Sequence, residues 1–307
     1  MGSLTQISFL SHILIHLLAL TLTFAQPHFL FHNCSNSVNY TIPSTFQTNL
    51  NTLLSSLSSN IDAYGFYNSS MGRDPDRASA VALCRGDVEL DICRSCVTVS
   101  TSKLIQLCPN QREAIGYYDN CMLRYSNNET IFGKMAWGPG FEKWNTNNVS
   151  DEQLSKFNEV RSRLFGGLIN RAASGDSRRK YATGEAQLPD SKTIYALVQC
   201  TPDLSESDCS FCLNATLERI PSCCSNRIGG AVYKPTCNIR YELDKFYNDT
   251  KDAAAPSPQL AAGPSNNEPM PNAALPPPLA AGPSNNAPPL SGMNIVIVSS
   301  IVIFVTL

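Results

Sequence analysis

One cysteine frame occurs twice in this chain. Cys84, eight residues, Cys93, two residues, Cys96 recurs as Cys200, eight residues, Cys209, two residues, Cys212. Each frame is followed by two more cysteines with twelve residues between them, Cys108 and Cys121 in one case, Cys224 and Cys237 in the other. Even the exit is shared, Cys121-Met122-Leu123-Arg124-Tyr125 against Cys237-Asn238-Ile239-Arg240-Tyr241. A period of about 116 residues is far longer than the roughly 20–50 of a solenoid unit, so the chain holds two copies of one domain.

The copies open alike. Ser44-Thr45-Phe46-Gln47 is a capping-box pattern, and Phe46, Leu50, Leu53, Leu54, Leu57 and Ile61 follow at helical spacing. Ser150-Asp151-Glu152-Gln153 plays the same part before Leu154, Phe157, Val160, Leu164 and Leu168. Both stripes read as core faces. A second, shorter helix is expected to carry the paired cysteines, with Ser205-Glu206-Ser207-Asp208 capping Cys209, Cys212, Leu213, Leu217 and Ile220. Cysteines three apart on a helix share a face. Strand-like runs surround them, at Ile115, Tyr117 and Tyr118 and at Val232, Tyr233, Ile239 and Tyr241. The expectation is an α+β architecture, two tandem disulfide-stapled domains at residues 27–133 and 138–248, each with two helices on an antiparallel sheet.

Both ends carry targeting patterns. Ile7 to Phe24 is almost wholly apolar and closes on Thr23-Phe24-Ala25, which reads as a signal peptide over residues 1–25. Met1-Gly2 is followed by Gln6 where myristoylation wants Ser or Thr. Residues 249–292 are filled by Ala, Pro, Ser, Gly and Asn, and the octet Leu-Ala-Ala-Gly-Pro-Ser-Asn-Asn starts at Leu260 and again at Leu279, the composition of an extended stalk. Residues 293–307 are hydrophobic, and the uncharged run from Ile295 is shorter than the roughly 20 residues of a membrane span. With small residues upstream, this is the layout of a glycosylphosphatidylinositol signal, with Ser284 as the expected attachment point.

Chemistry is bounded mostly by exclusion. Net charge is −2 and the basic residues are scattered, so nucleic acid is not an expected partner. The four histidines are His12, His16, His28 and His32, which leaves both cysteine frames without one and removes Ser-His and Cys-His catalysis and His-ligated metals. Twelve cysteines behind a secretion signal point to disulfides rather than zinc. No paired carboxylates stand out for hydrolysis, and the chain is read as non-enzymatic, with no cofactor. Asn33, Asn39, Asn68, Asn128, Asn148, Asn214 and Asn248 each begin a glycosylation sequon.

The duplicated frame, with Tyr195-Ala196-Leu197-Val198-Gln199 before it and Arg-Tyr closing it, resembles the ginkbilobin-homologous, stress-antifungal domain of plants over about residues 27–248. The tandem is similar to cysteine-rich repeat secretory proteins and to ectodomains of cysteine-rich receptor-like kinases. That resemblance implies pairing of Cys34 with Cys108, Cys84 with Cys93, Cys96 with Cys121, Cys200 with Cys209 and Cys212 with Cys237. The second copy lacks its first cysteine and has Cys223 beside Cys224; a vicinal bond, a free pair and an intermolecular bond are all open there, and the vicinal bond is the expectation. Ginkbilobin holds mannose through an Asn after the first Cys, an Arg seven past the fifth and a Glu five past the sixth. Ser35, Ile115 and Ser126 stand at those places in the first copy, and Ala231 and Glu242 at the last two in the second, so only Glu242 agrees. The resemblance implies an extracellular recognition or signalling module in plant defence or stress response, lipid-anchored to the plasma membrane, with a cell-surface protein or glycan as partner. The alternatives are an antifungal mannose-type effector or a plasmodesmal receptor-like protein.

Overall fold

The structure, a computed structural model, describes residues 27–35, 39–128, 131–136 and 138–249. The signal peptide, Ser284, all but the first residue of the stalk and the hydrophobic C-terminus lie outside the described residues. The first domain runs β1 (Phe29–Cys34), α1 (Thr45–Asn60), β2 (Phe66–Met71), β3 (Ala78–Cys84), α2 (Leu90–Leu107), β4 (Ala114–Tyr118) and β5 (Cys121–Ser126). The second runs β6 (Phe141–Trp144), α3 (Asp151–Ala173), β7 (Lys180–Gln187), β8 (Thr193–Cys200), α4 (Glu206–Leu217), α5 (Ile220–Cys224), β9 (Gly230–Tyr233) and β10 (Cys237–Glu242). The sheets are β1-β4-β5-β3-β2 and β6-β9-β10-β8-β7, antiparallel throughout, so the copies share one α+β topology.

Local chemistry explains the helices. Ser44 accepts the Gln47 amide at 3.2 Å and starts α1, which buries Phe46, Leu50, Leu53, Leu54 and Leu57. Each such side chain contributes about 1.5–3 kcal/mol when taken from water. Ser205 caps α4 in the same way, through the Asp208 amide at 3.1 Å. Ser150 differs: its hydroxyl donates to Gln153 Oε1 instead of capping α3. Asp151 and Glu152 in the first turn offset this by placing negative charge at the positive end of the helix dipole. The helix expected to run from Ser205 through Ile220 stops at Leu217 and restarts as α5. Pro221 has no N–H to continue the α4 ladder, and proline is accommodated at the start of a new helix.

Six disulfides use all twelve cysteines: Cys34–Cys108, Cys84–Cys93, Cys96–Cys121, Cys200–Cys209, Cys212–Cys237 and the adjacent Cys223–Cys224. In each copy one bond joins the third strand of the domain to the helix after it, and another joins that helix to the last strand. Helices and sheet are thereby tied across the core.

The two sheets bury their outer faces against each other. Phe31 stacks on Phe141 at 5.3 Å, Phe141 lies flat on Tyr233 at 4.6 Å, and Tyr117 contacts both. Leu83, Ile115 and Met122 complete this second apolar layer. Polar contacts surround it: the Gln199 amide donates to the Cys84 carbonyl at 2.9 Å, Arg179 to the Gly86 carbonyl at 3.2 Å, and Lys143 reaches Asp119 at 3.4 Å. Asp87, fully buried, takes both ends of the Arg85 fork and also the Asn248 amide at 3.0 Å. β3 is buried along its whole length because one face meets its own helices and the other meets the second domain.

Candidate functional site

The strand registers align the copies residue by residue. Cys34 pairs with Ala114 in the first domain; in the second, Trp144 pairs with Gly230, the counterpart of Ala114. Trp144, half exposed at 50%, therefore stands where the missing first cysteine would be. The next hydrogen bond agrees, since Ser35 donates its amide to the Glu113 carbonyl at 3.0 Å and Asn145 donates to Gly229 at 2.9 Å. Asn145 is thus the residue after the first-cysteine place. Counting from cysteines hid it, because the second copy has no cysteine there; strand register recovers it.

Asn145 and Glu242 meet. The Asn145 side-chain amide donates to Glu242 Oε2 at 3.4 Å, and Arg240 reaches Glu242 Oε1 at 3.5 Å. A Cβ at Gly229 would collide with the Glu242 carboxylate, so glycine there makes room for the acid. The first domain inverts this arrangement. Glu113 stands at the place of Gly229 and pairs with Arg124 at 2.9 Å, while Ser126, at the place of Glu242, is buried. An acid and an arginine are kept in both copies, but the acid comes from the residue ahead of β4 in the first and from the end of β10 in the second.

The surroundings differ too. In the first domain Asn33, Ser35, Glu113 and Arg124 line a cavity of about 230 Å³ that Gly138, Pro139 and Pro235 of the second domain close. Ile115 sits there in place of an arginine, and the Tyr117 phenol donates to the Pro139 carbonyl at 3.1 Å. In the second domain Ala231, fully buried, stands at the arginine place, and the Glu242 side chain is only 16% exposed. Burial pushes the nearby Tyr233 phenol up to about 12, with Arg240 pulling the other way. The first site therefore lies at the junction between domains, and the second is tied to it through Arg240, whose guanidinium also lies 4.0 Å from Asp119 of the first domain. An acid, an amide and an arginine can hold hydroxyl groups by several hydrogen bonds, but the second-domain set is turned on itself.

The remaining candidates are structural. His32 lies beside Cys34 and Cys108, whose sulfurs are bonded to each other. Cys224 is packed against Gly230, and its carbonyl accepts from the Tyr241 phenol at 3.0 Å. Among the sequons, Asn39, Asn128, Asn148, Asn214 and Asn248 are exposed, whereas Asn33 and Asn68 are half-buried. Among the described residues no helix is long and apolar enough to cross a membrane.

The sequence matches the family described as salt stress response/antifungal twice, over residues 33–128 and 143–244. Cysteine-rich receptor-like protein kinase 25 of Arabidopsis thaliana is 43% identical over 250 residues, which cover 79% of this chain and 37% of that protein. The chain thus spans little more than a third of the length of that receptor-like kinase. Cysteine-rich repeat secretory protein 38 of the same plant is 40% identical over 219 residues, 71% of this chain and 85% of that one. Among solved structures, the tandem DUF26 ectodomain of the Arabidopsis thaliana cysteine-rich receptor-like protein PDLP8 superposes with a TM-score of 0.60 at 23% identity, covering 70% of this chain and 98% of that one. The corresponding ectodomain of PDLP5 gives 0.57 at 25% identity, covering 71% and 100%. With the cysteine frame matched twice and the topology shared, the chain belongs to the salt stress response/antifungal family, as a tandem of its DUF26 domains.

Proposed function

We propose that this protein is a non-enzymatic extracellular recognition module acting in plant defence or stress response, held at the outer face of the plasma membrane through Ser284. The observation that carries the reading is the junction: the outer faces of both sheets are spent on each other, so the pair is one body that offers its helices, hairpins and edge strands to a partner. The placement of the first ligand position at that junction, with the second tied to it, supports protein recognition over sugar capture. Crosslinking of the anchored protein on living plant cells tests it. Recovery of one dominant cell-surface protein is expected, and recovery of wall polysaccharide alone would sink it. Release of the protein by phosphatidylinositol-specific phospholipase is expected of the anchor, and retention in the membrane would remove that part.

Asn145 beside Glu242 favours a second reading, an antifungal effector of the mannose-binding type, because two of its three ligand residues are present and in contact. On a glycan array, mannose binding lost in Glu242→Gln would move this reading ahead of the first.

A further inference from the structure

The second domain has a groove that the first has closed. In the first domain Arg112 lies over the Phe46 ring, 4.6 Å from its centre, and donates to the Pro75 carbonyl at 3.0 Å, with Asp76 at 3.8 Å. One arginine thus bridges the start of α1 to the tip of the β2–β3 hairpin. Its counterpart, 116 residues on and in the same position ahead of the shared strand pair, is Ile228. Isoleucine is shorter and has no donor, so it cannot reach the β7–β8 hairpin. The space left is a groove of about 420 Å³, within the usual range for a ligand site.

What remains around the groove is the set of groups that Arg112 satisfies in the first copy. The hairpin tip again carries a Pro-Asp pair, Pro189 and Asp190, and both line the groove. Its floor is apolar, from Leu188, Ile228 and Leu243 over the buried Phe157. Asp190 pairs at present with Lys192 at 2.8 Å and accepts the Gln153 side-chain amide at 3.1 Å, but that lysine is 55% exposed and Gln153 is exposed too, and water screens such a surface ion pair to roughly 0–1 kcal/mol. An incoming guanidinium can displace it, gaining a forked pairing that an ammonium lacks.

From this comparison we infer that the groove beside Ile228 receives an arginine side chain from a partner polypeptide. The alkyl stem lies on Leu188, Ile228 and Leu243, and the guanidinium reaches the Pro189 carbonyl and the Asp190 carboxylate. The partner thereby completes in the second domain a clasp that the first domain makes for itself. The site is separate from the Asn145–Glu242 pair and stands whether or not that pair binds sugar.

Calorimetric titration of the secreted full chain, its N-glycans trimmed to the first sugar because Asn148 lines the groove, decides it, with acetyl-Leu-Arg-Leu-amide as probe and its citrulline analogue, equal in shape but uncharged, as control. The arginine peptide is expected to bind about tenfold more tightly than the citrulline one, as a partly buried charge pair warrants. Asp190→Asn at the hairpin tip should erase that difference, and Ile228→Arg should fill the groove from within and abolish binding. Equal affinity for the two peptides, no binding of either, or unchanged discrimination in Asp190→Asn would each overturn the proposal. Acetyl-arginine amide matching the tripeptide would overturn the polypeptide as source. If Ile228→Arg fails to fold, the Asp190→Asn arm still decides.

Discussion

The two domains share a topology and solve one problem differently. In the first, β1 is fastened to the end of α2 by Cys34–Cys108, a bond between residues 74 apart. In the second, the cysteine at the α2-end position, Cys224, bonds to its own neighbour, and Trp144 occupies the place of its partner. β6 keeps the contacts that β1 also makes, a ladder with the neighbouring strand and two backbone bonds, Asn145 to Gly229 and Val149 to Asn226 against Ser35 to Glu113 and Tyr40 to Asn110, but without the staple. The hydrogen bonds are common to both copies, and what separates them is the covalent staple across the chain, which the second lacks. The largest consequence is in the unfolded state: closing a loop of that length costs about 4 kcal/mol in chain entropy, whereas a bond between neighbours restrains almost nothing beyond them. Replacing Cys34 and Cys108 together by Ser should lower stability by roughly 4 kcal/mol in urea unfolding, and replacing Cys223 and Cys224 together should cost less than about 1 kcal/mol. Equal losses would mean that the adjacent bond is as much a staple as the long one.

That asymmetry marks what a sequence of this kind discloses. Periodic helices and matched cysteine spacing are local signals, and they were readable for α1, α3 and the duplication itself. Asn145 was not, because its position is defined by strand register and the cysteine that would have marked it is gone. The break after Leu217 had a signal in Pro221 that helical periodicity outweighed. The junction between domains had none: Phe31, Tyr117, Phe141 and Tyr233 look like ordinary alternating strand residues, and only the opposite sheet decides that their outward face is covered.

The junction offers the next test of the comparison. Phe141 stacks on both Phe31 and Tyr233, so Phe141→Ala removes the central ring of the shared layer at a cost of about 2–3 kcal/mol, the lower end for a large-to-small core change because the site is partly exposed. Thermal unfolding that is a single transition in the parent should split, with the stapled first domain melting last. A single transition in the variant would show that the domains are coupled through the Gln199, Arg179 and Asp87 contacts instead.

A smaller effect of opposite sign is expected inside the second core. Arg161 is 4% exposed and donates to the Tyr241 phenol at 3.1 Å, and by burial pattern it stands where the first domain has Leu50. Burial lowers its tendency to stay charged, with Tyr241 acting against this. Replacing a buried charge by a well-packed apolar side chain is commonly neutral or favourable. Arg161→Leu should therefore raise stability by about 1 kcal/mol in urea unfolding. A loss of 3 kcal/mol or more, about what breaking a needed buried contact costs, would instead make Arg161 essential to its domain.

The least costly difference concerns glycans. Asn39 and Asn148 are equivalent sequons, each bridged to the matching residue of its domain, Gln111 and Arg227. In both the side-chain oxygen accepts the bond, at 2.7 and 2.8 Å, which leaves the nitrogen that carries a glycan pointing away from that contact. Asn68 is the opposite case: its nitrogen donates to Asp203 across the junction at 3.3 Å, where Asp203 also takes the Gly133 amide. A glycan on Asn68 would wedge into that junction, so chains carrying one should fold poorly and be lost before secretion. Glycopeptide mapping of the secreted protein should find Asn39 and Asn148 occupied and Asn68 bare, and Asn68→Gln should remove no glycan mass and leave the melting temperature nearly unchanged. Full occupancy at Asn68 would mean that the junction opens there, and with it that the two domains are less tightly joined than their aromatic layer implies.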